Sequence, residues 1–162
     1  MELKSFCQLL RRLLPVTLLC APLLAQSNGH LKVGEPAKVA GKRGAVVQAK
    51  IPLIVDAGFH VNSNTPNEEY LIPLKLTWKS TGALEGGQVI YPKAMQEKYE
   101  FSEKPLSVFT GRFEVTANFK VSANAPAGPG VAGGQLRYQA CNDRTCLTPK
   151  TIEVTLPIEI VK

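Results

Sequence analysis

The chain contains 162 residues, of which 44% are hydrophobic and 20% charged, and its formal net charge at neutral pH is +6. This length fits one domain with a single core, preceded by an N-terminal segment of different composition. The positive charges are scattered among acidic residues, without a run of like charges or a basic stripe with interleaved aromatic residues. Nucleic acid is therefore not an expected partner.

The first 25 residues have the layout of a secretory signal peptide. Basic residues precede an apolar run at positions 13–24, and Ala25 supplies a small residue for cleavage. The run is too short to span a bilayer. We therefore expect cleavage near Ala25 and a mature chain that is periplasmic or otherwise exported, without stable membrane insertion. A lipoprotein signal at Cys20 is disfavoured because Leu19 stands where a small residue would be needed.

The segment after the signal divides into an arm and a folded domain. Residues 26–44 contain few large apolar residues and several Gly, Lys and Pro, which predicts a flexible, loosely held N-terminal arm. The folded domain is expected over residues 45–162, where apolar residues recur at every second position, as in half-buried strands. The first predicted strands span residues 45–55, with Pro52 at an edge or bulge, then 70–78 and 88–91.

The remaining chain continues this strand pattern. Residues 113–121 alternate apolar and polar side chains and form the clearest predicted strand, whereas residues 95–99 could hold a helical turn at most. A turn-rich connection is predicted at residues 123–134, and the last strands at 135–140 and 151–156, extended by 158–161. No useful stretch has helical periodicity. The sequence therefore predicts an all-β fold, an immunoglobulin-like antiparallel β-sandwich.

One cysteine pair remains after the signal peptide is set aside. Cys141 and Cys146 lie between two predicted strands, and a hairpin neck can bring two Cα atoms within the roughly 4.4–6.8 Å that a disulfide needs. Such a disulfide could be redox-active or merely structural. The short loop would stabilise the fold by only about 1.5–2 kcal/mol, and an exposed bond is readily attacked by a thiolate. Arg144 could stabilise a thiolate, although Asp143 acts in the opposite direction.

A metal site is a weaker alternative. The two cysteines and His60 provide three ligands, and four-coordinate zinc normally needs a further Cys or His. His30 is the remaining histidine, and it lies in the predicted arm. We therefore expect no metal at this site.

The cysteine segment resembles a known redox motif. The sequence from Tyr138 to Cys146, Tyr-Gln-Ala-Cys-Asn-Asp-Arg-Thr-Cys, followed by Pro149, is similar to the motif of the N-terminal periplasmic domain of the thiol:disulfide interchange protein DsbD. The segments Gly-Phe-His-Val-Asn-Ser-Asn at 58–64 and Tyr-Leu-Ile-Pro at 70–73 resemble the same family. The resemblance covers roughly residues 45–158.

The resemblance implies an immunoglobulin-like sandwich whose cysteine pair alternates between dithiol and disulfide. Cys146 would be the attacking thiolate and Cys141 the resolving partner, and no bound cofactor would be needed. A thioredoxin-like protein or domain would donate electrons, and periplasmic disulfide proteins would accept them. The implied activity is that of a protein-disulfide reductase or thiol–disulfide interchange component. The alternative is a non-catalytic binding module in which the disulfide only fixes a hairpin.

The resemblance also suggests residues around the cysteines. Relatives cover the pair with a loop that carries an acidic residue and a Phe, a role that Glu100 and Phe101 could fill. His60 and Asn62 stand where the best-known relative has aromatic residues, and His60 could tune a thiol or relay a proton. Tyr138, Asp143 and Arg144 complete the expected surround. The cysteine spacing is one residue shorter than in that relative, and the altered aromatic environment prevents transfer of its reduction potential.

Overall fold

The chain forms a β-sandwich with a small third sheet at one end. The structure, a computed structural model, describes residues 29–79 and 82–162, so the predicted signal peptide lies outside the described residues. Within those ranges the regular structure consists of strands without helices. The strands are β1 Leu31–Val33, β2 Val39–Lys42, β3 Val46–Val55, β4 His60–Asn62, β5 Lys75–Trp78, β6 Leu84–Ile90, β7 Met95–Glu97, β8 Leu106–Phe109, β9 Arg112–Val121, β10 Gly128–Tyr138, β11 Ala140–Cys141 and β12 Lys150–Val161.

The first sheet has the strand order β1-β3-β9-β6. Its long central pair, β3 and β9, is antiparallel, and alternate side chains of both strands are buried in the main core. Pro52 lies in β3 beyond the end of β1, and its carbonyl accepts a hydrogen bond from Gly34 N. Since the N–H and C=O of a strand residue point to the same side, the missing donor of Pro52 faces away from β9. The ladder between β3 and β9 is therefore intact, as expected for proline at a strand edge.

The second sheet has the order β2-β12-β10-β5 and covers the opposite side of the core. Trp78 at the end of β5 reaches across to the first sheet, where its ring meets Phe119 edge-on with 5.1 Å between centroids. This ring lies directly over Gly134, where a Cβ atom would come within 2.8 Å of Trp78 Cε3. The glycine-rich half of β10 is thus a strand in which the absence of a Cβ atom at Gly134 leaves room for the Trp78 ring. The prediction of a turn-rich connection over residues 123–134 was wrong from Gly128 onward.

The third sheet, β11-β4-β8-β7, closes one end of the sandwich. β11 continues the path of β10 after one residue, Gln139, and pairs with β4. The segment 95–97 is the edge strand β7 and not a helical turn, because its backbone pairs with β8 from Met95–Val108 to Glu97–Leu106. This sheet carries both the cysteine hairpin and the loop that packs beside it.

The segment predicted as a flexible arm contains two strands. β1 pairs with β3, and β2 pairs in parallel with β12. Leu31 is 1% exposed and belongs to the main core, and Gly41 is so close to Val47 that a Cβ atom would clash with it. A few apolar contacts and two short ladders therefore hold this segment, although its composition gave little sign of them. Over residues 29–44 the prediction of a loosely held arm was wrong.

Candidate functional site

Cys141 and Cys146 form a disulfide at the neck of a tight hairpin. Asn142 N donates to Thr145 O at 3.0 Å, and Leu147 N donates to Ala140 O at 2.8 Å. The cysteines between these bonds occupy a non-hydrogen-bonded pair, the position at which antiparallel strands bring opposite Cα atoms closest. Their Cα atoms are 3.9 Å apart. The backbone pairing of the hairpin itself therefore places the two sulfur atoms together.

Asn142 shapes the turn that follows Cys141. Its side-chain Oδ1 accepts hydrogen bonds from Arg144 N and Thr145 N, both at 2.9 Å. This arrangement, in which an Asn side chain bonds to the backbone two residues on, is a common way of fixing a tight turn. Asp143 and Arg144 project into solvent at the tip.

Gln139 ties the hairpin to two neighbouring segments. Its Oε1 accepts from Asn62 Nδ2 and from Ile72 N, both at 3.1 Å. Its Nε2 donates to Leu147 O, also at 3.1 Å. One side chain thus satisfies polar groups from β4, from the segment before β5 and from the return strand of the hairpin. Sequence reasoning missed Gln139 as a positioning residue, although it lies inside the recognised motif.

His60 lies beside Cys141 in the third sheet. The two residues are register partners of β4 and β11, and Cys141 in turn is the register partner of Cys146. Side chains at register positions lie on the same face of a sheet, with Cβ atoms about 4.5–5.5 Å apart. Cys141 is 0% and His60 2% exposed, whereas Cys146 is half-buried. An imidazole, a buried sulfur and a more accessible sulfur therefore form one row.

The cap loop, residues 98–105 between β7 and β8, covers this row. Tyr99 and Phe101 pack with Cys146 in a small apolar cluster, here called the disulfide cluster, that is separate from the main core. The Tyr99 ring stacks on His60 with 3.9 Å between centroids, and the Phe101 ring follows at 5.8 Å from Tyr99 and 6.4 Å from His60. The buried members of the disulfide cluster are Leu71, Leu106 and Val108.

Hydrogen bonds within the cap loop hold it compact. Tyr99 Oη donates to Glu97 Oε2 at 2.5 Å, and Ser102 Oγ donates to Lys104 O at 2.7 Å. Lys98 Nζ donates to the carbonyl of Ser102. All three of these bonds are internal to the loop or run to its flanking strand β7. The loop is therefore attached to the cysteine row mainly by its aromatic rings.

The electrostatics of the site follow from burial. Burial lowers the pKa of His60 below 6.5, against the opposing charges of Glu97 and Asp143. Burial, the hydrogen bond to Glu97 and the charges of Glu97 and Asp143 raise the pKa of Tyr99 well above 10. At neutral pH His60 is therefore an unprotonated imidazole and Tyr99 a hydroxyl donor. The buried Nε2 of His60 has no hydrogen-bond partner.

The structure brings together part of the predicted surround. His60 and Phe101 lie with the cysteines, and Asp143 acts on His60 through its charge. Asn62 is buried behind His60 on the same strand, where it bonds to Gln139 and to the carbonyl of Ile72. It supports the hairpin and lies two residues along β4 from His60, the register partner of Cys141.

Three other predicted residues lie away from the sulfur atoms. Glu100 and Arg144 are exposed on the cap loop and the hairpin tip. Tyr138 is 1% exposed and packs in the main core, on the face of its strand opposite to Cys141. Conversely, sequence reasoning did not select Tyr99. Its position two residues before Phe101, in a loop already expected to cover the cysteines, was the available signal.

Two further properties concern the ranges 29–79 and 82–162. They contain no group of three or more His, Cys, Asp or Glu side chains that could hold a metal ion. They also contain no helix that is long and apolar enough to cross a bilayer.

One solved structure with a similar fold supports the β-sandwich. The N-terminal periplasmic domain of ScsB from Proteus mirabilis is similar at a TM-score of 0.56 and 13% identity, over 85% of this chain and 49% of that chain. This chain thus spans about half of the length of that structure. The reduced N-terminal domain of Neisseria meningitidis DsbD aligns at 17% identity with a TM-score of 0.41, over 67% of this chain and 74% of that chain. Comparison with curated protein sequences gives no match.

The fold and the site define a class of protein, an immunoglobulin-like β-sandwich with a cysteine pair at one end, and the predicted fold class is confirmed. The family described as thiol:disulfide interchange protein DsbD, N-terminal, matches residues 30–158. The chain belongs to this family, a family of periplasmic thiol–disulfide exchange domains, as its motif indicated. The match includes the two strands of the segment predicted as an arm.

Proposed function

We propose that this domain relays electrons in the periplasm from a thioredoxin-like donor to disulfide-bearing proteins through Cys141 and Cys146. The observation that carries the proposal is the difference between the two sulfur atoms. Cys141 is fully buried, whereas Cys146 is half-buried and packs against the buried residues of the disulfide cluster. A partner's thiolate can reach Cys146 after the cap loop moves, while Cys141 remains shielded by β4.

Each half of the relay is an ordinary exchange reaction. A donor thiolate attacks Cys146 Sγ, the Cys141–Cys146 bond breaks, and Cys141 leaves as a thiolate that takes up a proton. The donor's second thiolate then attacks its own sulfur in the mixed disulfide and releases Cys146. In the second half, the Cys146 thiolate attacks an oxidised acceptor, and Cys141 expels the reduced acceptor and restores the disulfide. The domain gains and loses two electrons without a bound cofactor.

The cap loop would limit access to this chemistry. Its Tyr99 ring covers His60, its two aromatic rings share the disulfide cluster with Cys146, and few hydrogen bonds join it to the hairpin. Its displacement exposes a sulfur atom without opening the main core. The closed loop would therefore protect the pair from unspecific oxidants and reductants, and a docked partner would displace it.

Trapping of a mixed disulfide tests the proposal. Cys141→Ser removes the resolving thiol. Its Cys146 thiolate should attack a periplasmic thioredoxin-fold protein whose resolving cysteine is replaced and whose remaining cysteine carries thionitrobenzoate as a mixed disulfide. Thionitrobenzoate then leaves, and a dithiothreitol-sensitive adduct of the two proteins accumulates. Cys146→Ser is the matched control and should give little adduct, because Cys141 is buried. Equal trapping by both variants, or by neither, would contradict the relay. Partner binding that is unchanged when both cysteines are replaced would instead support a binding module with a structural disulfide.

A further inference from the structure

His60 lies next to the cysteine pair, but the exchange reaction described above assigns it no role. It is the register partner of Cys141 on the adjacent strand, and both side chains are buried on the same face of the third sheet. Register partners have Cβ atoms about 4.5–5.5 Å apart, which puts an imidazole within reach of a neighbouring sulfur. Cys146 lies on the far side of Cys141 in the same row.

The hydrogen bonding of His60 is incomplete in the disulfide form. Its Nε2 is buried and has no partner, although a buried polar atom without a partner costs free energy. The stack with Tyr99 holds the ring in place. In the disulfide neither sulfur carries a proton, whereas reduction gives Cys141 an S–H group, which can donate to an imidazole nitrogen. Reduction therefore adds a hydrogen-bond donor to the register partner of His60, whose buried Nε2 has no partner in the disulfide form.

We infer that His60 accepts the proton of the Cys141 thiol when Cys141 attacks the mixed disulfide at Cys146. This inference rests on the proposed function and assigns a role within it. The substrate of the step is the mixed disulfide of Cys146 with any acceptor thiol, and His60 serves Cys141 alone.

The Cys141 S–H proton passes to Nε2 of neutral His60, and the resulting thiolate attacks Cys146 Sγ. The Cys141–Cys146 bond forms as the bond between Cys146 and the acceptor sulfur breaks. The acceptor leaves as a thiolate, and it is protonated by the His60 imidazolium or by water. The cysteine pair is oxidised by two electrons, the acceptor is reduced by the same two, and His60 returns to its neutral form.

Two acidic groups near His60 partly offset the cost of a transient positive charge on its buried ring. Glu97 and Asp143 are the carboxylates whose charges act on it, and Tyr99 covers its face with a neutral ring. Both carboxylates favour the imidazolium, while burial opposes it. The ring is therefore unprotonated and able to accept a proton near neutral pH, and it regains that state when the proton leaves.

The test separates the two thiols with one reagent. Reduced protein is mixed with 5,5′-dithiobis(2-nitrobenzoate), and a first equivalent of thionitrobenzoate reports formation of the adduct on Cys146. Release of the second equivalent reports the attack by Cys141. The rate of this second release is measured from pH 5.5 to 9.5 for the wild type, His60→Phe and His60→Gln. Phe preserves an aromatic stack and Gln preserves a polar group, but neither can take up a proton, and each variant's melting temperature is checked first.

At pH 7 both variants should release the second equivalent at least tenfold more slowly than the wild type, within the range of general-base effects. The difference should shrink as the pH rises, because a growing fraction of the thiol ionises without His60. The wild-type rate alone should also fall with protonation of an imidazole, so the proposal is testable even if one variant folds poorly. Equal profiles, or a slowing that is the same at every pH, would overturn it and leave the relay standing. A wild type that never releases the second equivalent would overturn both.

Discussion

Reduction of the Cys141–Cys146 disulfide should lower the free energy of unfolding only modestly. The two cysteines have a sequence separation of 5, so the bond closes a very short loop. In the chain-entropy model such a loop stabilises the folded state by about 2 kcal/mol, against about 4.7 kcal/mol for a loop of 100 residues. The main core is built mostly from the first two sheets, and neither cysteine belongs to it. The sandwich should therefore stay folded without it.

The single tryptophan makes the effect of reduction on the free energy of unfolding measurable. Trp78 packs edge-on against Phe119 in the main core, so its fluorescence reports unfolding of the sandwich. Denaturant titrations of the oxidised and the reduced wild type should differ by about 2 kcal/mol, or about 8 °C in melting temperature for a domain of this size. The double variant Cys141→Ala, Cys146→Ala is the control, since reductant should leave its transition unchanged.

The same free energy sets the redox behaviour of the pair. For a two-electron couple about 30 mV corresponds to 1.4 kcal/mol, so folding should lower the reduction potential by only about 43 mV relative to the unfolded chain. We expect a measured value in the range of exchange proteins, roughly −120 to −270 mV. A loss of more than 4 kcal/mol on reduction, or a potential below about −300 mV, would refute the reasoning and mark a structural bond.

Three further predictions concern the surroundings of the pair. Phe101→Ala removes ring contacts to Tyr99 and His60, each worth about 0.5–1.5 kcal/mol. The cap loop should then open about thirtyfold more often, and dithiothreitol should reduce the disulfide faster by a similar factor. An unchanged rate of reduction would show that the loop does not limit access. Gln139→Ala leaves Ile72 N and Leu147 O without a partner and should lower the free energy of unfolding by about 1–3 kcal/mol. Amide hydrogen exchange should become faster in the hairpin. Exchange that becomes equally faster in β9 would contradict a local role of Gln139. The pKa of His60 is lower in the folded than in the unfolded chain, so the unfolded chain binds the proton first and stability falls as the pH drops below about 6.5. Denaturant titrations at pH 7.5 and 5.5 should show a smaller loss of unfolding free energy for His60→Phe than for the wild type. An equal loss in both proteins would mean that another group titrates.

Strands with one buried face could be predicted from the sequence, and strands with two could not. β9 alternates buried and exposed side chains, and its predicted bounds differ from the observed ones by one residue at the start. All four residues of β8 and all three of β4 are buried, because neighbours cover both faces of these two central strands of the third sheet. Such strands lack the alternation that marks a half-buried strand. The sheet that carries the site was therefore the part that periodicity could not detect.

The site shows a similar division. The cysteine pair followed from counting cysteines and from the motif, because both depend on neighbouring positions in the chain. The neighbours of the pair in space come from distant segments: His60 through the register of β4 with β11, and Tyr99 through stacking on His60. Tyr138 was assigned to the site by its proximity in sequence, but alternation along the strand turns its side chain into the main core.

The strand order of the third sheet separates the element that controls access to the disulfide from the elements that stabilise the fold. The hairpin lies at one edge, on β11, and the cap loop extends from the other edge, β7, with β4 and β8 between them. The cap loop meets β4 through the stack of Tyr99 on His60, so it can open as a local event while the pairing of β4 with β11 still holds Cys141 in place. The frequency of that event depends on the contacts of the edge strand and the cap rings. Substitutions that strengthen the main core would therefore raise the melting temperature and leave the rate of thiol exchange unchanged.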